Sequence, residues 1–261
     1  MYKNIITGIV FLISIIVFPQ DKGTALYLKG NENFKKGEYK KAIKNYTQLI
    51  EKIDVDLVKK TGYINRGLSR DRLMQYDLAI QDFTEAIKLD STDMASFVDR
   101  AISKMNAAYL ERAKEDFQYV INENSNSKMI ESSLYWMSRI NYSQGKYREV
   151  IKNCDEYFQV NSTDPELYFI RGTANDMLMN FEKSIVDYSK AIELFPNYFQ
   201  AYANRGTAKI NLLTGSGNIQ PSKKETKSAC KDLKKARELG DTSVEDLIYI
   251  YCKKERQNRN K

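Results

Sequence analysis

A small side chain returns six times along this chain at a near-constant interval. Gly30, Gly67, Ala101, Ser138, Gly172 and Gly206 are separated by 37, 34, 37, 34 and 34 residues. A second short residue follows each of them: Ala42, Ala79, Ala113, Val150, Ser184 and Ala229. Four places later stands an aromatic in four units, at Tyr46, Phe83, Phe117 and Tyr188, with Cys154 and Leu233 in the other two. Tyr39, Tyr76, Leu110, Tyr147 and Phe181 open the second segment of the first five units. Such a period predicts paired helices. Small residues let two antiparallel helices approach, and the large residue is expected to fill the gap toward the neighbouring pair. One pair cannot bury its apolar face alone, so pairs must stack.

These positions resemble the tetratricopeptide repeat family, whose alternation of small and aromatic residues runs through 23–241. The fifth unit is the nearest match, from Tyr168 through Gly172, Phe181, Tyr188 and Ala191 to Pro196. The fourth departs most in its core, with Val150 and Cys154. The resemblance implies an all-α, right-handed superhelical solenoid of six helix pairs, at about 23–56, 60–93, 94–127, 131–163, 165–198 and 199–241. The three-residue extensions after the first and third units are expected to lengthen a second helix by about one turn.

The sixth unit carries an insertion, about 214–228, rich in Gly, Ser and Lys, which reads as a surface loop. Residues 242–254 then read as an amphipathic helix capping the last pair, with Thr242 or Ser243 at its start. The tail 255–261 reads as frayed and disordered.

The first twenty residues are of another kind. Lys3 precedes an apolar run from Ile5 to Phe18, ended by Pro19, Gln20 and Asp21. A bilayer-spanning helix needs roughly 20 apolar residues. The shorter run reads as a secretory signal, or as an uncleaved anchor because small residues are missing at the break. A periplasmic, envelope-associated or secreted protein is expected.

Composition narrows the chemistry. The chain has no His, which removes the commonest general acid–base and the usual partner of a Ser or Cys nucleophile. It has no phosphate-binding glycine loop, and Gly215-Ser216-Gly217 is not followed by a lysine. No cofactor, metal or catalytic residue is expected. Cys154 lies at a core position. Cys230 and Cys252 lie on the last second helix and on the helix packing against it, so in an exported chain they are expected to form a disulfide. From Pro221 onward 12 Lys and Arg face 7 Asp and Glu, whereas residues 21–220 hold 28 and 27. The basic end lacks interleaved aromatics and reads as solubilising, with no nucleic acid expected and membrane contact only through the N-terminal segment.

In the family the first helices line a concave groove that receives a peptide or helix. Carried onto this chain, that wall comprises Tyr27, Asn31 and Phe34; Ile64, Leu68 and Asp71; Val98, Ile102 and Met105; Tyr135, Arg139 and Tyr142; Phe169, Thr173 and Asp176; and Ala203, Thr207 and Ile210. Largely apolar in its middle, it suits an amphipathic helix or apolar peptide strip. Tyr27, Ala95 and Asp99 stand where a carboxylate-clamping version of the family needs basic residues, so that version is excluded. The expected role is a scaffold or adaptor for a protein or peptide partner. An envelope enzyme acting on cell-wall or peptide substrates, and a basic-surface binder, are the alternatives.

Overall fold

The computed structural model describes residues 22–123, 126–217 and 220–252. The apolar N-terminal run and the tail 255–261 lie outside the described residues. All regular structure among the described residues is helical, in two compact units divided after Ala108.

Unit one contains α1 (Lys22–Lys35), α2 (Tyr39–Lys52), α3 (Asp56–Arg72), α4 (Tyr76–Leu89) and α5 (Met94–Asn106). Each helix packs on the next, and α3 also meets α5. Unit two contains α6 (Leu110–Glu123), α7 (Ser127–Ser143), α8 (Tyr147–Val160), α9 (Pro165–Met177), α10 (Phe181–Leu194), α11 (Phe199–Gly215), α12 (Lys223–Glu238) and α13 (Glu245–Cys252). Again each packs on the next, while α7 meets α9 and α9 meets α11. The first helices α3 and α5 in unit one, and α7, α9 and α11 in unit two, are thus successive neighbours.

The repeated small residue has a more local purpose than the sequence suggested. A Cβ on Gly67 would lie 3.0 Å from the Phe83 ring, one on Gly172 2.9 Å from Tyr188, and one on Gly206 2.8 Å from Leu233. The large residue therefore fills the space over the small residue of its own pair, not the gap to the next one. In the fourth pair Cys154 is smaller, and Ser138 replaces glycine opposite it, with Sγ to Oγ at 3.6 Å.

A buried ionic link accompanies the contacts at Gly67, Gly172 and Gly206. Asp82, just before Phe83, accepts from Arg66, just before Gly67, and from Arg70. Asp187 accepts from Arg171 and Asn175, and Asp232 from Arg205 and Lys209. Each arginine also reaches back to the preceding pair: Arg66 to Thr47, Arg171 to Asp155, Arg205 to Ser189. One guanidinium thus ties three helices, as its fork of donors allows.

The turns inside the pairs repeat as well. Gly37, Met74, Ala108, Gly145 and Met179 all have positive φ, between 58° and 76°. Behind four of them a backbone bond closes six residues, from Glu38 to Asn33, Gln75 to Arg70, Lys146 to Asn141 and Asn180 to Asn175. This is the left-handed helix ending that satisfies otherwise orphaned carbonyls.

Two local expectations are corrected. The three-residue extensions lengthen the following first helices, α3 and α7, to 17 residues, while α2 and α6 keep the 14 residues of the other second helices. The insertion at 214–228 is mostly helix: α11 continues to Gly215 and α12 starts at Lys223. Its start is fixed by a capping box, Ser222 with Glu225, a reciprocal pair of side-chain-to-backbone bonds. Ahead of α13, Asp241 accepts from both the Ser243 amide and its hydroxyl. Helix α13 then packs on α12 through Val244 and Ile248.

Candidate functional site

Residues three before, one after and four after the repeated small residue fall at i, i+4 and i+7, which is one stripe of a helix. In unit one the stripe is Tyr27, Asn31 and Phe34 on α1, Ile64, Leu68 and Asp71 on α3, and Val98, Ile102 and Met105 on α5. In unit two it is Tyr135, Arg139 and Tyr142 on α7, Phe169, Thr173 and Asp176 on α9, and Ala203, Thr207 and Ile210 on α11. All are half-buried except Val98, Ala203 and Ile210, which are buried. Val98 is corrected accordingly. At 7% exposure its side chain belongs to the core and has almost no surface left for a partner.

The polar members are held in place. The Tyr46 hydroxyl donates to Asn31 Oδ1 at 2.6 Å, and Phe34 meets Tyr39 edge-on at 5.4 Å. Ser103 on α5 donates to Asp71 on α3 at 2.7 Å, while the other Asp71 oxygen is buried with no hydrogen-bond partner among the described residues. Burial pushes the Asp71 carboxyl up to about 6. Burial, together with the charges of Asp71 and Asp93, pushes Asp99 up to about 7. Unit one thus carries two carboxylates that resist ionisation between α3 and α5.

Unit two differs. Arg139 donates to Glu166 Oε1 at 2.5 Å and to the Tyr135 hydroxyl at 2.9 Å, and that hydroxyl donates to Glu166 Oε2 at 3.0 Å. The guanidinium lies 5.6 Å from the centroids of both Tyr135 and Trp136. Beside this node Phe169 meets Tyr198 at 5.0 Å and Tyr188 at 5.8 Å. Tyr188 donates to Thr173 at 3.3 Å and accepts from Asn204 at 3.4 Å. The stripe of unit two is therefore aromatic with a charged centre, less uniformly apolar than its α7 and α9 residues suggest. Glu166, Tyr198 and Asn204 were missed in the sequence because they lie outside the three repeating positions, and Tyr188 was read only as a core aromatic.

Cys154 is buried, and burial pushes its thiol up to about 12, so it is a poor nucleophile at neutral pH. Cys230 and Cys252 are joined, with Cα atoms 5.5 Å apart. Among the described residues no group of three His, Cys, Asp or Glu is arranged to hold a metal. No described helix is long and apolar enough to cross a membrane.

Stacked antiparallel helix pairs with a small-residue contact in each define a helical repeat protein. Residues 23–51 and 61–93 match the tetratricopeptide repeat model. The C-terminal part of a TPR repeat-containing protein from Cytophaga hutchinsonii shares the fold, with a TM-score of 0.67 at 19% identity over 84% of this chain and 82% of that one. YrrB, described as a TPR protein with an unusual peptide-binding site, gives 0.58 at 16% identity over 76% and 94%. In sequence the chain is 26% identical over 215 residues to an Hsp70-Hsp90 organizing protein of Triticum aestivum, covering 69% of this chain and 36% of that protein. It is 38% identical over 93 residues to DnaJ homolog subfamily C member 7 of Mus musculus, covering 35% and 19%. The chain spans less than two fifths of the length of these curated relatives. Residues 23–51 and 61–93 are thus tetratricopeptide repeats, and the described chain shares the fold of proteins built from such repeats.

Proposed function

We propose that the chain is a protein-interaction scaffold or adaptor that binds a segment of a partner polypeptide along the first-helix stripe, outside the cytoplasm. The observation that carries this reading is the stripe itself. Ile64, Leu68, Ile102, Tyr135 and Phe169 recur at one helical position or one turn from it, and all keep part of their surface. Apolar side chains repeated at half-exposed positions suit burial against a second chain. The family and the names of its relatives support polypeptide binding, since one organises Hsp70 and Hsp90 and YrrB is described by its peptide site. The absent clamp lysines argue against the acidic C-terminal tails that such a clamp holds. Localisation outside the cytoplasm rests on the N-terminal apolar run alone.

A paired experiment tests the stripe. Affinity capture from the native envelope identifies a partner, and its binding is then measured with Ile102→Glu and Ala113→Glu. Ile102→Glu should cost binding about 2 kcal/mol with little change in melting temperature. Ala113 is fully buried, so Ala113→Glu should lower the melting temperature strongly. Equal losses of stability would make Ile102 a core residue and remove the stripe as the binding surface.

A further inference from the structure

Helix α12 is unlike the other second helix with a buried ionic link in unit two. Helix α10 carries Lys183 and Lys190 against Glu182, Asp187 and Glu193. Helix α12 carries Lys223, Lys224, Lys227, Lys231, Lys234, Lys235 and Arg237 against Glu225, Asp232 and Glu238. Two of those three acids are engaged elsewhere. Glu225 closes the capping box and Asp232 is buried under Arg205 and Lys209.

At 100° per residue, the buried residues Thr226, Ala229, Cys230, Asp232, Leu233 and Ala236 occupy one side of the helix. Lys224, Lys227, Lys231 and Lys234 fall on the other, within an arc of about 80° and along about 15 Å of axis. All four are exposed, and none has a carboxylate within ion-pair distance among the described residues.

The helix packed beside this stripe carries exposed apolar side chains. The bond between Cys230 and Cys252, and the Thr226 hydroxyl donating to the Tyr251 carbonyl at 3.3 Å, lay the last turn of α13 along the first half of α12. Lys227 and Lys234 flank Cys230 one turn away on either side. That last turn of α13 presents Tyr249 and Ile250, 63% and 65% exposed. In sequence, five further basic residues against one Glu follow within 253–261.

We infer that the lysine face of α12, with the exposed edge of α13, is a docking surface for an anionic lipid bilayer. This goes beyond the peptide-binding reading and revises the expectation that only the N-terminal segment meets a membrane. Lysines are mobile point charges suited to a diffuse field of headgroups. A nucleic-acid surface would interleave aromatics and arginine forks among them, and α12 has one arginine, already facing Glu245 at 3.7 Å. An exposed Tyr and Ile beside the charges match a surface that is charged outside and apolar a few ångströms deeper.

The test is sedimentation of the full, oxidised chain with vesicles of phosphatidylcholine containing about a third phosphatidylglycerol, against phosphatidylcholine alone. The chain should bind the anionic vesicles, lose at least tenfold in affinity at high salt, and bind the zwitterionic ones far more weakly. The quadruple variant K224Q/K227Q/K231Q/K234Q should keep its helical content and lose about a hundredfold. Ile250→Ser should weaken anionic-vesicle binding severalfold without altering its salt dependence. Equal binding to both vesicle types would assign adsorption to apolar insertion and overturn the proposal. So would undiminished binding of the quadruple variant, which would assign it to the tail. Tighter binding to duplex DNA than to anionic vesicles at the same ionic strength would assign the stripe to nucleic acid and also defeat it.

Discussion

The Tyr46 ring lies so close over Gly30 that a Cβ built on the glycine would sit 2.5 Å from its Cε1 atom. Tyr46 is buried and its hydroxyl is held by Asn31, so the ring has nowhere to swing. Gly30→Val should therefore destabilise unit one by about 2 kcal/mol through overpacking. Ala25→Val, on the same helix but exposed, controls for the poorer helix propensity of valine. Urea midpoints of the two variants check this. Equal losses would mean that close approach is not what glycine provides.

The same contact predicts a coupling in the fourth pair. Cys154→Tyr puts a ring over Ser138, where four of the other five units keep a glycine. It should cost about 2 kcal/mol alone and markedly less with Ser138→Gly. A double-mutant cycle in thermal unfolding reads the coupling directly. Additive losses would show that the two positions do not share one space.

Met74 and Met179 turn between their helices at φ 58° and 60°, with side chains 76% and 77% exposed. An exposed side chain gains nothing from packing there, and an L-residue in the left-handed region costs about 1–2 kcal/mol. Met74→Gly and Met179→Gly should each raise stability by about 0.5 kcal/mol or more, net of glycine's entropy in the unfolded chain. Gly37 and Gly145 already occupy the equivalent turns. An unchanged or lower denaturation midpoint would count against strain at these turns.

Those turns show how far the sequence could be read. The period of Gly30, Gly67, Gly172 and Gly206 exposed the helix pairs, because close approach admits so few residue types. Met74, Ala108 and Met179 hid the turn geometry, since nothing in a methionine announces positive φ. The arginine clamps were legible but missed: Arg stands just before Gly67, Gly172 and Gly206, and Asp just before Phe83, Tyr188 and Leu233. The helical start of α12 was legible too, in Ser222 and Glu225, but a Lys-rich, Gly-flanked composition masked it. The stripe residues were assigned by position in the repeat. Position cannot say that Val98 sinks into the core, or that Arg139 finds Glu166 on the next first helix, because both depend on how neighbouring helices pack.

Unit one should lose stability as pH rises. Asp71 and Asp99 titrate in the folded chain near 6 and 7, above the value of about 4 for an unfolded aspartate. The folded state therefore holds protons that the unfolded state has released. Stability from this pair is full below about pH 4 and is lost as pH climbs through 6 to 7. Between pH 5 and 8, Asp90, held down to about 2 by hydrogen bonds from Lys60 and Thr92, stays ionised and adds no slope. Urea midpoints should fall by the equivalent of about 4 kcal/mol from pH 5 to pH 8. Asp99→Asn should remove more than half of that slope and be the more stable protein at pH 8. Parallel pH curves for the two proteins would show that Asp99 ionises normally.

The cysteines divide into one pair and one bystander. The Cα separation of 5.5 Å between Cys230 and Cys252 falls within the usual disulfide range, and the bond closes a loop over a sequence separation of 22. Against the reduced chain such a loop contributes up to about 3 kcal/mol, here to the seam between α12 and α13. Cys154, buried against Ser138, should alkylate only after unfolding. Non-reducing peptide mapping of protein taken from its native compartment should recover the 230–252 cross-link and a free Cys154. Cys252→Ser should loosen α13 first, seen as faster amide exchange at Ile248 and Tyr251 than at Leu233, because α12 is also held by the Arg205 and Lys209 links to Asp232. Two free thiols at positions 230 and 252 would refute the bond. They would also weigh against an oxidising compartment, since 5.5 Å leaves geometry no reason to keep the thiols apart.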